Sequence, residues 1–184
     1  MRCARVPELQ SLTLNSSTRR AQDRDFALED GDVDLIAITE NGELSKPIPS
    51  MPALAAEVVD ATTQLYASIG YEAPWSGYLA LVDGTVVGTC GFKSPPSENR
   101  VEIAYFTFPE FESRGMATQM AAALIRIARE TTPAVTVAAQ TLPEESASTA
   151  VLKKLRFRLI ETLEHPEDGP VWEWQLSDSA GPPA

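Results

Sequence analysis

Three features of this 184-residue chain predict a mixed α/β domain, one central sheet with helices on both faces. Strand-like and helix-like segments alternate in mixed order. Asp83-Gly84 separates two short apolar runs, the strongest local signal of a hairpin. Residues 115–129 carry an apolar stripe at helical spacing.

Taken in order, Val33 to Thr39 reads as a strand, followed by an Asn41-Gly42 turn. Pro47, Pro49 and Pro52 punctuate a connection. A helix is then expected through Leu54, Val58, Leu65, Tyr66 and Ile69, stopping at Gly70. Tyr78–Val82 and Thr85–Cys90 form the hairpin. Ser94 to Asn99 reads as a loop, and Val101 to Phe108 as a strand stopped by Pro109. In the helix from Gly115 to Arg129, Met116, Met120, Leu124, Ile127 and Ala128 make the stripe, while Gln119, Arg126 and Arg129 face away. A strand (134–140), a helix (146–155) and two strands (157–162 and 171–176) complete the pattern. Residues 1–28 are expected to be a mobile extension, 29–176 a single domain and 177–184 a disordered tail.

An apolar fraction of 43% suits one packed core. No apolar run approaches the roughly 20 residues that span a bilayer, and the N-terminus lacks the apolar stretch of a secretory signal. The expected location is cytoplasmic. Cys3, in the expected tail, and Cys90, in an expected buried strand, support neither a disulfide framework nor a thiolate metal site. The net charge of −11 argues against a nucleic-acid binder, which needs a basic surface. It suits either a cationic acceptor or solubility alone.

The stretch Pro109-Glu110-Phe111-Glu112-Ser113-Arg114-Gly115-Met116-Ala117-Thr118 joins a strand to an amphipathic helix. Small residues at 115 and 117 let backbone approach a bulky anion, and the free amides and dipole of a helix start favour one. By physics alone this turn reads first as an ordinary strand–helix connection, since such turns are common and most bind nothing. It lacks the Gly-Lys-Ser/Thr ending of a P-loop and the three glycines of a dinucleotide fingerprint.

Glu112-Ser113-Arg114-Gly115-Met116-Ala117 resembles the acetyl-CoA signature of the GNAT superfamily, Gln/Arg-x-x-Gly-x-Gly/Ala. Val101 to Phe111 is similar to the strand preceding that loop, especially in the branch related to ribosomal-protein alanine acetyltransferases. Leu142 to Ser148 and Val151 to Phe157 resemble that branch's Pro-Glu-Asn-x-Ala-Ser…Val-Leu-x-Lys-Leu-Gly-Phe segment. The likeness runs from about Trp75 to Leu176. The chain departs from it at Glu112 (usually Gln or Arg), Glu145 (often Asn) and Arg156 (commonly Gly), and has no Tyr near Leu152, where many members keep a general acid.

The resemblance implies a GNAT-like fold, a mixed twisted sheet of about six to seven strands in which two splay apart to form an acetyl-CoA cleft. It implies transfer of an acetyl group to a primary amine (small molecule, amino acid or protein N-terminus) by direct attack in a ternary complex, with no metal. Phe106, Thr107 and Phe108 would line the pantetheine arm. Ser113, Arg114, Gly115, Met116, Ala117 and Thr118 would cradle the pyrophosphate, and Ser148 would flank the thiol end. Glu102 is the candidate base, sharing a strand face with apolar Ala104, Phe106 and Phe108, or else a solvated carboxylate at a strand end. A strand amide near Phe106 would steady the oxyanion. A homodimer is compatible with this reading. The rival is a non-catalytic acyl-CoA-binding regulatory module, and a third reading is an interaction domain without cofactor.

Other residues have plainer readings. His165, the only histidine, lies in an expected Pro/Gly-rich turn and reads as a surface residue. Lys153, Lys154, Arg156 and Arg158 read as a solvated face and helix-end charge, with a 3′-phosphate contact as the alternative. Trp75, Tyr78, Trp172 and Trp174 are core or the wall of an acceptor pocket. Cys90 reads as a small buried hydrophobe.

Overall fold

The computed structural model describes residues 33–166 and 169–177. The extension expected over 1–28, and all of the expected tail except Ser177, lie outside the described residues. The order is β1 (Asp34–Ala37), α1 (Ala53–Ile69), β2 (Gly77–Val82), β3 (Thr85–Phe92), β4 (Arg100–Thr107), a 3₁₀ turn (Pro109–Phe111), α2 (Met116–Thr131), β5 (Thr136–Thr141), α3 (Ala147–Lys154), β6 (Phe157–His165) and β7 (Gly169–Leu176). The strands form one sheet in the order β1-β2-β3-β4-β5-β7-β6. Only the β4–β5 pair is parallel. The mixed sheet with helices on both faces is the architecture expected.

Local chemistry explains most boundaries. Asp83 and Gly84 both take positive φ, 49° and 76°, as the tight hairpin turn between β2 and β3 requires. Gly70 closes α1 at φ 85°. At the start of α3, the Ser146 hydroxyl accepts from the Thr149 amide while the Thr149 hydroxyl accepts from the Ser146 amide, a reciprocal capping box.

One face of the sheet packs under α2 and α3, burying Met116, Met120, Ala121, Leu124, Leu152, Val101, Ile103 and Val137. The other face, over β1–β3, packs under α1 through Ala55, Val59, Tyr66, Leu79, Leu81 and Val86. Each fully buried Val, Leu, Ile or Met among them contributes roughly 1.5–3 kcal/mol by leaving water. Gly88 in β3 is fixed by this packing, because a Cβ there would collide with the Phe106 carbonyl oxygen and crowd Met120 of α2.

The structure corrects several expectations. The first strand stops at Ala37, and Ile38 makes only an isolated bridge to Leu44. Phe108 lies beyond β4, where Pro109 opens the 3₁₀ turn; it is 2% exposed and packs in the α1-side core. Arg129 does not simply face away, since its Nη1 donates to the Pro133 and Val135 carbonyls and closes the turn after α2. Gln119 is half-buried. His165 ends β6, paired with Gly169.

Candidate active site

The parallel pairing of β4 with β5 covers Arg100 with Thr136, Val101 with Val137 and Glu102 with Ala138, and then stops. Both strands run on, β4 to Thr107 and β5 to Thr141. Beyond Glu102, no strand among the described residues pairs with the β5 side of β4. A gap therefore opens in the sheet.

Which backbone groups line that gap follows from the β3–β4 register. The Lys93 amide donates to the Glu102 carbonyl and the Phe108 amide to the Val87 carbonyl, so even-numbered residues direct their backbone toward β3. Ile103, Tyr105 and Thr107 then direct theirs into the gap. The amide expected near Phe106 to steady an oxyanion is thus Tyr105's or a neighbouring odd residue's; Phe106's own amide faces β3.

Side chains alternate the opposite way. Val101, Ile103 and Tyr105 lie on the α2/α3 face, while Glu102, Ala104 and Phe106 share the other face, as expected. Phe106 is 36% exposed beside this gap and Thr107 is half-buried. Phe108 differs from the expectation, because its core position withholds its side chain from any arm in the gap.

At the open end stands the turn into α2. Gly115 is the N-cap in a left-handed conformation, φ 81°. The first bond of the helix is Gln119 amide to Gly115 carbonyl, at 3.1 Å, which leaves the amides of Met116, Ala117 and Thr118 without partners inside the helix. No side chain caps this end. Ser113 also has positive φ, 60°, and the exposed Arg114 guanidinium lies over the Phe111 ring, 5.8 Å from its centre. Met116 buries its side chain, so it offers an anion only its amide. A cradle of free amides at the mouth of a gap lined by strand backbone fits the pyrophosphate and pantetheine of coenzyme A.

Glu102 sits at the vertex of the gap, 9% exposed, in surroundings that differ from the apolar ones expected. Lys93 Nζ lies 2.5 Å from its Oε1 and Arg100 Nη2 3.3 Å from its Oε2. Arg100 also donates to the buried Glu173 of β7, whose other oxygen accepts from Gln140 Nε2 at 3.1 Å. Burial pulls the Arg100 guanidinium down, but the Glu173 hydrogen bond and the charges of Glu173 and Glu102 outweigh it and hold Arg100 above its ordinary value. Sequence reasoning missed this network, because its members come from β4, β5, β7 and the position just after β3.

It also missed Tyr105. Its hydroxyl crosses to α3 and donates to the Ser148 carbonyl at 3.2 Å, beside the exposed residue expected to flank a thiol. Strand alternation, which sets it on one face with Val101 and Ile103, was the signal available. Among the plainer residues, Trp75, Tyr78 and Trp174 are core. Burial pushes the Cys90 thiol up, which leaves it inert. Glu145 is held by Lys153 Nζ at 2.6 Å, which lowers its carboxyl below the ordinary range. Among the described residues no cluster of three or more His, Cys, Asp or Glu is placed to hold a metal, and no helix is long and apolar enough to cross a membrane.

The chain is similar in fold to the apo form of RimL, the ribosomal L7/L12 alpha-N-protein acetyltransferase, at 18% identity and TM-score 0.59, covering 78% of this chain and 92% of that one. It is likewise similar to RimL in complex with coenzyme A (19% identity, TM-score 0.53, covering 66% and 70%). A third is a chimera of the spermidine N-acetyltransferase SpeG from Vibrio cholerae (13%, 0.57, covering 79% and 95%). No curated protein matches the chain in sequence. The family model described as an acetyltransferase (GNAT) domain matches residues 24–158, more than half of the chain. With the gap, the cradle and this match together, the chain belongs to the GNAT acetyltransferase family and is an N-acetyltransferase that uses acetyl-CoA.

Proposed function

We propose that the enzyme acetylates a cationic primary amine by direct attack within a ternary complex. The observation that carries this is the pairing of β4 and β5, which ends at Glu102–Ala138 while both strands continue. In this reading the 113–118 turn holds the pyrophosphate through the amides of Met116, Ala117 and Thr118. Phe106 and the gap-facing backbone of β4 hold pantetheine, and Thr107 contributes its main chain. Glu102, once the acceptor has reached it, takes the ammonium proton directly or through water. A gap-facing amide, Tyr105's foremost, steadies the oxyanion. The Tyr105 hydroxyl donates a proton to the departing thiolate, the role that a Tyr near Leu152 plays in many relatives.

The net charge of −11 supports a cationic acceptor. Spermidine and a protein N-terminus, the acceptors named for the similar proteins, are both cations of this kind. The same reading takes 29–176 as one domain acting in the cytoplasm, with a homodimer as its assembly and no nucleic acid or membrane as partner. A panel of polyamines, amino acids and short peptides, incubated with acetyl-CoA and followed by thiol release and product mass, tests it. Cofactor-dependent protection from heat without turnover of any cationic amine would overturn the acceptor class.

A further inference from the structure

Lys93 is the residue that catalysis leaves unexplained. It extends β3 one position past Phe92 and lies directly across from Glu102, its amide donating to the Glu102 carbonyl at 2.9 Å. Opposed residues of an antiparallel pair share a face, and here the Lys93 ammonium sits on Glu102 Oε1 at 2.5 Å. An amine thus already occupies the carboxylate proposed as base, at the vertex where the gap begins.

The two ends of Glu102 are held differently. Arg100 grips the other oxygen and is itself anchored by Glu173, whose side chain is only 4% exposed. The Lys93 side chain is 33% exposed and, among the described residues, its ion pair is with Glu102, so it is the more easily displaced partner. The charges of Lys93, Arg100, Glu102 and Glu173 sum to zero. A cationic acceptor arriving at Glu102 adds a positive charge to a site already neutral, unless the Lys93 charge is removed.

We propose that Lys93 is acetylated by the protein's own site, and that this removes the charge that blocks Glu102. The inference rests on the reading that acetyl-CoA lies in the β4–β5 gap with Glu102 as base. Glu102 takes a proton from the Lys93 ammonium, and the freed Nζ lone pair attacks the thioester carbonyl carbon. The new C–N bond forms and the C–S bond breaks; the second proton shed by the nitrogen goes to the departing coenzyme A thiolate, and Glu102 releases the first to water. The products are Nε-acetyl-Lys93 and coenzyme A. The cluster then carries one net negative charge, centred on a carboxylate with an open place for the acceptor's ammonium.

The chain has four lysines, Lys46, Lys93, Lys153 and Lys154, so the modification maps cleanly. The full chain is incubated with acetyl-CoA alone, and each lysine is followed by peptide mass mapping, with thermal unfolding in coenzyme A measured in parallel. Lys93 is expected to be acetylated at least about tenfold faster than the other three, a modest share of what a positioned base supplies. Excess coenzyme A should suppress Lys93 alone, and Glu102→Gln should slow Lys93 alone. If coenzyme A protects the protein from heat but Lys93 reacts no faster than Lys46, or is not suppressed by coenzyme A, self-acetylation is overturned while the family reading stands. If coenzyme A gives no protection, self-acetylation and the reading that places acetyl-CoA in the β4–β5 gap fall together.

Discussion

Arg100 donates to a single oxygen of Glu173 through two nitrogens, Nε at 2.9 Å and Nη2 at 2.6 Å, and so ties β4 to β7 across β5. Ala138, the β5 residue between them, is too small to obstruct the reach. The clasp sits where the sheet is about to open. Its two ends are unequal, because the Glu173 side chain is 4% exposed and that of Arg100 34%. Arg100→Met strands a buried carboxylate and is expected to cost about 3–5 kcal/mol. Glu173→Gln keeps an acceptor for Arg100, which also reaches water and Glu102, and should cost less than half as much. Urea unfolding of both variants checks the order; an equal or reversed loss would mean that Arg100 is not what shields Glu173.

Gly115 and Arg156 both hold positive φ beside a helix, and only the first is a glycine. Gly115 takes φ 81° before α2, and Arg156 takes φ 67° after α3, where the family commonly has Gly. A non-glycine residue in this conformation costs roughly 1–2 kcal/mol, partly offset by the freedom glycine has when unfolded. Arg156→Gly should therefore stabilise by about 0.5–1 kcal/mol. Gly115→Val should destabilise, although its Cβ would meet nothing within 4 Å, and should also weaken the thermal protection given by acetyl-CoA. Gly115→Asn, which tolerates this conformation better, should be milder on both counts.

Tyr66 is the polar link between α1 and the sheet. Its hydroxyl donates to the Ile38 carbonyl at 3.1 Å and accepts from the Gly77 amide at 2.7 Å. Tyr66→Phe leaves both backbone groups without that partner and should cost about 1–3 kcal/mol. Burial pushes the Tyr66 phenol up, with the Gly77 hydrogen bond opposing; burial likewise raises Tyr78. For a group raised on folding, the stabilisation is complete below the unfolded value, about 10 for tyrosine, and is lost as pH climbs through the folded value. Stability should therefore decline above about pH 10, and Tyr66→Phe should blunt that decline only in part, since Tyr78 retains its share. Thermal melts from pH 8 to 11 on both proteins check the sign.

The elements legible in the sequence are those set by local chemistry. Asp83-Gly84 fixes a hairpin through two residues that tolerate positive φ, and the Met116–Met120–Leu124 stripe fixes a buried helix face. The gap was legible only through resemblance, because where a parallel pair stops depends on the register of two strands some 35 residues apart. Glu102 was found, but not its setting: Lys93 follows the end of β3, Arg100, Gln140 and Glu173 belong to three further strands, and no spacing along the chain announces their meeting. Phe108 was misplaced because alternation was carried one residue too far, into the bend that Pro109 imposes. Arg156 concealed its own turn, since the glycine that marks such a turn is missing.

Tyr105 offers a separable test of the chemistry at the thiol. Tyr105→Phe keeps the ring against the α2/α3 core and removes the hydroxyl that reaches Ser148. A thiolate with a conjugate pKa of roughly 8.5 leaves tolerably unaided, so the loss in kcat should be about tenfold, less than the roughly hundredfold or more that a positioned acid usually supplies. KM for acetyl-CoA should stay near its original value. The deficit should narrow as pH rises toward 9, where the thiolate no longer needs a proton. A large rise in KM with kcat intact would make Tyr105 a structural strut of the cleft.

Glu102→Gln separates catalysis from architecture, because the amide keeps the shape of the carboxylate and one acceptor oxygen, enough for Arg100 with its NH2 turned toward the partly exposed Lys93, while abolishing the basic site. At neutral pH the acceptor amine arrives as an ammonium, and without the carboxylate it must lose its proton to water before attack. The rate should fall by about 10²-fold or more. Above the acceptor's own pKa the amine arrives neutral, so the variant should recover much of the difference while the wild type levels off. Full pH–rate profiles on one amine, with acetyl-CoA saturating, measure this. Profiles that run parallel at all pH values would remove Glu102 from the proton path and leave it as the partner that positions Arg100 and Lys93 at the vertex of the gap.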